Sequence, residues 1–79
     1  MGAPQDAPRY SMLIQWSVDD DAFLVTLPEW EGRVFNPVTH GDTYENAVRD
    51  GVIALECLVS AVRKHGESLP KPHFFDAAA

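Results

Sequence analysis

Three groups of side chains in this sequence have the capacity for chemistry. His40, Asp42 and Glu45 place an imidazole and two carboxylates close together, a set able to bind a metal or relay a proton. Their context favours plainer roles. Gly41 breaks the chain between them, Asp42 and Thr43 are both N-cap residue types, and Asp42 with Glu45 has capping-box spacing. His40 therefore reads as a turn histidine and Asp42 as a helix-capping carboxylate. Asp19, Asp20 and Asp21 suggest calcium, but an EF-hand loop starting there would need glycine at its sixth position and glutamate at its twelfth. Leu24 and Trp30 stand at those places, so the triplet reads as a solvated turn. Cys57 is the only cysteine, and Arg63, six residues on, lies off its face; a buried or half-buried structural thiol is expected. No catalytic constellation, metal-ligand set or cofactor motif emerges, and the chain reads as non-enzymatic.

The elements that would carry these residues follow from hydrophobic periodicity. Tyr10, Met12, Ile14, Trp16 and Val18 alternate with Ser11, Gln15 and Ser17, with Leu13 the only breach; period two predicts a half-buried strand. After the aspartates, Phe23, Val25 and Leu27 repeat the pattern, so the two runs predict a hairpin. Pro28 ends the second strand and Glu29 to Gly32 make a turn. Arg33 to His40, with Val34, Phe35 and Val38, is a third strand that Pro37 demotes to an edge or a bulged one.

A helix then opens at Asp42 or Thr43. Tyr44, Val48, Gly51, Leu55, Leu58 and Val62 fall on one stripe, flanked by Ala47, Ala54, Val52 and Val59, a face suited to lie on a sheet. Gly51 in that stripe costs about 1 kcal/mol in helix propensity relative to Ala, which predicts close approach of helix to sheet. Arg63, Lys64 and His65 suit the negative helix end and Gly66 its C-cap. Beyond Pro70 and Pro72, His73 to Phe75 are expected to form a short final strand. The expected fold is α+β: a three-stranded antiparallel sheet, one helix on one face and a short last strand, in the order β-β-β-α-β. One domain spans residues 9–75, with flexible tails at 1–8 and 76–79.

A chain of 79 residues has room for a single small core, which commonly needs reinforcement; without a possible intrachain disulfide, homo-oligomerisation to a dimer or tetramer is the expected supplement. The lone cysteine and the lack of a leader pattern point to a cytoplasmic setting. The apolar stretch from Gly51 to Val62 is too short for a membrane crossing, which takes about 20 residues. Twelve carboxylates against six Lys and Arg give a net charge of −6, which disfavours nucleic acid and favours a basic protein partner.

For that partner, Trp30 is the first candidate contact, because a large ring in a turn between Glu29 and Glu31 has no local core to join and exposed aromatics anchor interfaces. Trp16, alternating with core residues, reads as packing. Glu29 and Glu31 beside Trp30, Ile53, outward on the helix, and Phe74 and Phe75 complete the candidate set for partner binding or self-association, and the Val34 to Val38 edge could extend a partner's sheet. Phe74 and Phe75 could equally cover the bottom of the core.

Taken in order, these landmarks resemble the HicB-like antitoxin family. They are an aromatic-led strand (Tyr10 to Trp16), an acidic hairpin turn (Asp19 to Asp21), a Leu27-Pro28 step reaching Gly32, a Gly41-Asp42-Thr43 opening to the helix, and Gly66 followed by Pro70 and Pro72. The sequence departs from the family at Asn46 and Glu29, where acidic residues and Asp respectively are common, and has a long stretch between Gly32 and Gly41. The resemblance implies a partial ribonuclease-H-like sheet with one helix, and a HicA-like partner, a small basic RNase that the antitoxin shields from RNA. Many members carry a DNA-binding segment after the Pro-x-Pro; because this sequence stops soon after Phe75, DNA binding is not expected of it alone. A ribonuclease-H-type catalyst would need carboxylates on its strands; Tyr10 to Val18 and Phe23 to Leu27 contain none, and fold likeness alone carries no activity. The expected function is neutralisation of that toxin, the alternative being a homo-oligomeric regulator without one.

Overall fold

The computed structural model describes residues 9–76. The tails expected at 1–8 and 76–79 lie outside the described residues except for Asp76. Strands β1 (Leu13–Ser17) and β2 (Ala22–Thr26) form the expected hairpin, β3 (Thr39–Gly41) follows a long connection, and α1 (Tyr44–Lys64) closes the fold. The sheet order is β1-β2-β3 with both pairings antiparallel. This is the α+β layer expected from the periodicity, with the helix on one sheet face.

Register explains which side chains meet the helix. Ile14 opposes Val25, Trp16 opposes Phe23, and Phe23 and Val25 oppose Gly41 and Thr39; alternation sends this set to the helix side. The core gathers Val25, Leu27 and Trp30 from the sheet end and Ala47, Leu55, Val59 and Val62 from α1. Two glycines allow the layers to approach. A Cβ on Gly41 would collide with the backbone of Asn46 and Ala47, and one on Gly51 would sit 2.6 Å from the Met12 sulfur and 3.1 Å from a Val25 methyl. Gly51 thus makes the close approach that its place in the apolar stripe predicts.

The helix ends are both capped by the local sequence. Thr43, rather than Asp42, is the N-cap: its Oγ1 accepts from the Asn46 N–H at 3.0 Å, and Asp42 stays exposed. At the other end the Gly66 N–H donates to the Arg63 carbonyl and the Glu67 N–H to that of Val62. With Gly66 at φ +70°, this is a Schellman motif.

The third strand is shorter than its apolar pattern suggests. Only Thr39–Gly41 pair with β2. Upstream, the Asn36 side chain does the pairing instead: its Oδ1 accepts from the Leu27 N–H at 3.0 Å and its Nδ2 donates to the Leu27 carbonyl at 3.2 Å. The Asn36–Pro37 peptide is cis.

The final strand expected at His73 to Phe75 is not formed. Residues 67–76 run without a ladder partner, held by side chains: Arg33 donates to the Ser68 carbonyl, Tyr10 to the Pro70 carbonyl, and the His73 N–H donates to Glu29. Pro70 and Pro72 lack the N–H groups a ladder would use.

Candidate partner-binding surface

Trp30 occupies the place least suited to the role expected of it. It is 1% exposed, one of the three largest fully buried side chains, and packs edge-on against Tyr10 with ring centroids 5.5 Å apart. The cause is local. Pro28–Trp30 form a 3-10 turn in which the Trp30 N–H donates to the Leu27 carbonyl, and residues three apart in such a turn share a side. Leu27 points inward, so Trp30 does too. The expectation of an exposed aromatic anchor here is corrected. The indole Nε1 is buried without a hydrogen-bond partner among the described residues.

Glu29 is likewise committed internally. Its carboxylate accepts from the Ser11 N–H at 3.0 and 3.1 Å, from Ser11 Oγ at 3.1 Å and from the His73 N–H at 2.9 Å. Burial opposes its ionisation, but hydrogen bonds from the His73, Glu29 and Ser11 N–H groups and the Ser11 hydroxyl outweigh it and hold the carboxyl below its ordinary pKa. Tyr10 is shifted the other way: burial, then the neighbouring Glu29 charge, raises its phenol. Glu29 therefore clamps the segment leading into β1 to the C-terminal segment, and its carboxylate is not offered to a partner. Glu31 is exposed and accepts from Asn36 Nδ2 at 3.1 Å.

The exposed aromatic surface lies elsewhere, at the hairpin end of the helix-bearing face. Trp16 packs edge-on against Phe23 (5.0 Å between centroids), and Phe23 stacks on Tyr44 at 4.2 Å. Trp16 is 49% exposed and Tyr44 more so, because α1 begins at Tyr44 and leaves the outer end of the ladder uncovered. Trp16 thus faces the side that alternation predicts but lacks the cover expected of a packing residue. Val48 and Val52 are exposed too, one and two helical turns beyond Tyr44 on the same flank.

Among the described residues no helix covers the opposite sheet face. There Gln15, Leu24 and His40 lie across the three strands, with Leu13 opposing Thr26 and Ser17 opposing Ala22. Asp20, Ala22, Leu24, Pro37 and His40 line a shallow depression of about 300 Å³. Asp20 is oriented by the Ser17 hydroxyl, which donates to its carboxylate at 2.8 Å, and Asp19 and Asp21 are exposed beside it. An apolar floor with a positioned carboxylate at its rim suits the stem and charged head of an Arg or Lys from a partner.

The remaining candidates do not converge. Ile53 is 51% exposed on the helix side away from the sheet, whereas Phe74 and Phe75 are exposed beyond His73, near the start of β1. Phe74 and Phe75 therefore do not cover the core, where Leu69 packs instead. Val34 and Val38 are also drawn onto the core, which removes them from the expected edge. Cys57 is exposed rather than buried. Among the described residues no three His, Cys, Asp or Glu side chains gather as a metal set, and no helix is long and apolar enough to cross a membrane. Leu24 and Pro37 escaped the sequence reading because the depression joins residues from β2, β3 and the connection between them; Tyr44 was visible only as a stripe residue. No protein-family model, curated protein or solved structure matches this chain.

Proposed function

We propose that this chain is a HicB-like antitoxin, a non-catalytic module that binds a small basic RNase of the HicA kind and keeps RNA from its active site. The observation that carries this reading is the uncovered sheet face, where a depression floored by Ala22, Leu24 and Pro37 has the Asp20 carboxylate at its rim. A net charge of −6 adds long-range attraction for a basic protein and repels RNA. The ordered resemblance from Tyr10 to Pro72 supplies the identity of the partner class. Silencing of an mRNA-cleaving enzyme places the proposed action in the cytoplasm.

The test uses the tagged chain to recover its partner from the source cells, followed by an RNA-cleavage assay on what co-purifies. A small basic RNase, silent when bound and active when released, is the expected result. Asp20→Lys should then weaken silencing about tenfold or more, equivalent to about 1.4 kcal/mol, and wild-type binding should weaken with added salt. Recovery of no RNase, or undiminished silencing by Asp20→Lys, would remove the reading or its surface respectively.

A further inference from the structure

The sheet has two edges, and only one carries the features that discourage pairing. β3 is three residues long, follows Pro37 and ends at Gly41 against the first turn of α1. An edge so short and proline-led offers little to another strand. β1 is different. Its five residues, Leu-Ile-Gln-Trp-Ser, include no charge, proline or glycine, and among the described residues no strand lies on its outer side.

We infer that β1 pairs antiparallel with β1 of a second copy of this chain, about a two-fold axis through Gln15, so that three strands from each copy make one sheet of six. Gln15 is the midpoint of Leu13–Ser17, and centring there gives every residue of the strand an opposite number. Isologous pairing then sets Ile14 against the partner's Trp16 and Leu13 against the partner's Ser17. Trp16 is the half-exposed end of the ladder it forms with Phe23 and Tyr44, and Ile14 of the second copy would cover it. Val48 and Val52, exposed on the flank of α1 below Tyr44, continue the same apolar strip.

Charge complementarity selects the occupant. The overall charge of −6 opposes association between copies, so contact is favoured only where acids are absent or matched. β1 has none. The hairpin turns back after Ser17, which pairs with Ala22, so the segment leading into β1 of each copy, with Arg9 at its head, would run past the acidic Asp19 to Asp21 turn of the partner, and the two-fold makes this match twice. Arg9 and all three aspartates are exposed. Closing the two β1 edges on each other leaves only the short β3 edges outward, which ends the assembly at two chains.

The experiment is sedimentation equilibrium of the full chain, with disulfide trapping in a Cys57→Ser background. Wild type should sediment at twice the chain mass. Gln15→Cys places two thiols across the axis at a Cα separation of about 4.5–5.5 Å, within the disulfide range of about 4.4–6.8 Å, and should cross-link under mild oxidation. Leu13→Cys places them about 13 Å apart along the strands and should cross-link at least about tenfold more slowly, each tenfold being about 1.4 kcal/mol in barrier. Trp16→Lys, outside the core, should give a folded monomer by circular dichroism. A wild-type monomer, as would result if Phe74 and Phe75 of the same chain took the β1 edge, overturns the inference. So does a dimer that cross-links at Leu13→Cys as fast as at Gln15→Cys, or one unaffected by Trp16→Lys. No RNase is present in these measurements, so their outcome is separate from that of the toxin-binding test.

Discussion

Removing the Glu29 carboxylate tests whether this residue is an internal clamp or a surface contact. Glu29→Ala deletes the acceptor for the Ser11 N–H, the Ser11 hydroxyl and the His73 N–H. Hydrogen bonds to a charged group contribute about 1.5–3 kcal/mol each when well buried. Here Ser11 is half-buried and His73 exposed, so water can replace part of each bond, and the sum is nearer to about 2–3 kcal/mol. In a domain of this size each kcal/mol moves Tm by about 4–8 °C, so Tm should fall by about 10–20 °C. Glu29→Gln keeps one carbonyl acceptor and should lose about half as much. The pH dependence gives the sharper readout. Because the folded-state pKa is depressed, the clamp contributes fully above the unfolded-state value and is lost as pH falls through the folded-state value. The Tm difference between wild type and Glu29→Gln should thus be constant near neutrality and shrink below about pH 4.3, the ordinary glutamate value. Thermal melts by circular dichroism from pH 7 to 3 measure it. A pH-independent difference, or an unchanged Tm for Glu29→Ala, would refute the clamp.

The two tryptophans should behave oppositely on truncation. Trp30→Ala empties a fully buried site and should cost about 3–5 kcal/mol, whereas Trp16→Ala should change monomer stability by about 1 kcal/mol or less; urea unfolding separates them, and equal losses would contradict the burial difference. Gly41→Ala drives a methyl into the backbone of Asn46 and Ala47, which cannot move as a flexible side chain can. A loss of about 3 kcal/mol or more is expected, while Gly66→Ala, at φ +70° with open space around it, should lose only about 1 kcal/mol; differential scanning calorimetry of the pair checks the ranking.

The hairpin and helix were legible because their periods are set locally. Alternation from Tyr10 to Leu27 gave both strands and their inward faces, and the stripe from Tyr44 to Val62 gave the helix and its contact with the sheet. Alternation assigns a face and not its cover, however, which is why Trp16 is half-exposed despite pointing to the helix side. Trp30 was misread by the complementary error: a turn was equated with surface, although Pro28 begins a 3-10 turn that places Trp30 on the side of Leu27. That signal was present in the Leu-Pro-Glu-Trp order. The short third strand and the missing last one have another cause. Asn36, Glu29 and Tyr10 supply side-chain bonds where a backbone ladder was expected, and such long-range partners leave no trace in periodicity.

The two proposed surfaces also constrain each other. A two-fold axis perpendicular to an antiparallel sheet keeps like faces together, so pairing through β1 would put both Asp20 depressions on one continuous uncovered face and both helices on the other. Two RNase molecules could then be held by one dimer, one per depression, without Trp16 touching either. Asp20→Lys should accordingly weaken RNase silencing while leaving the sedimenting mass doubled, and Trp16→Lys should halve that mass while leaving a one-to-one complex with the RNase. If Trp16→Lys lost the RNase as well, the aromatic ladder would belong to the toxin surface, and the assignment of one surface to each partner would fail.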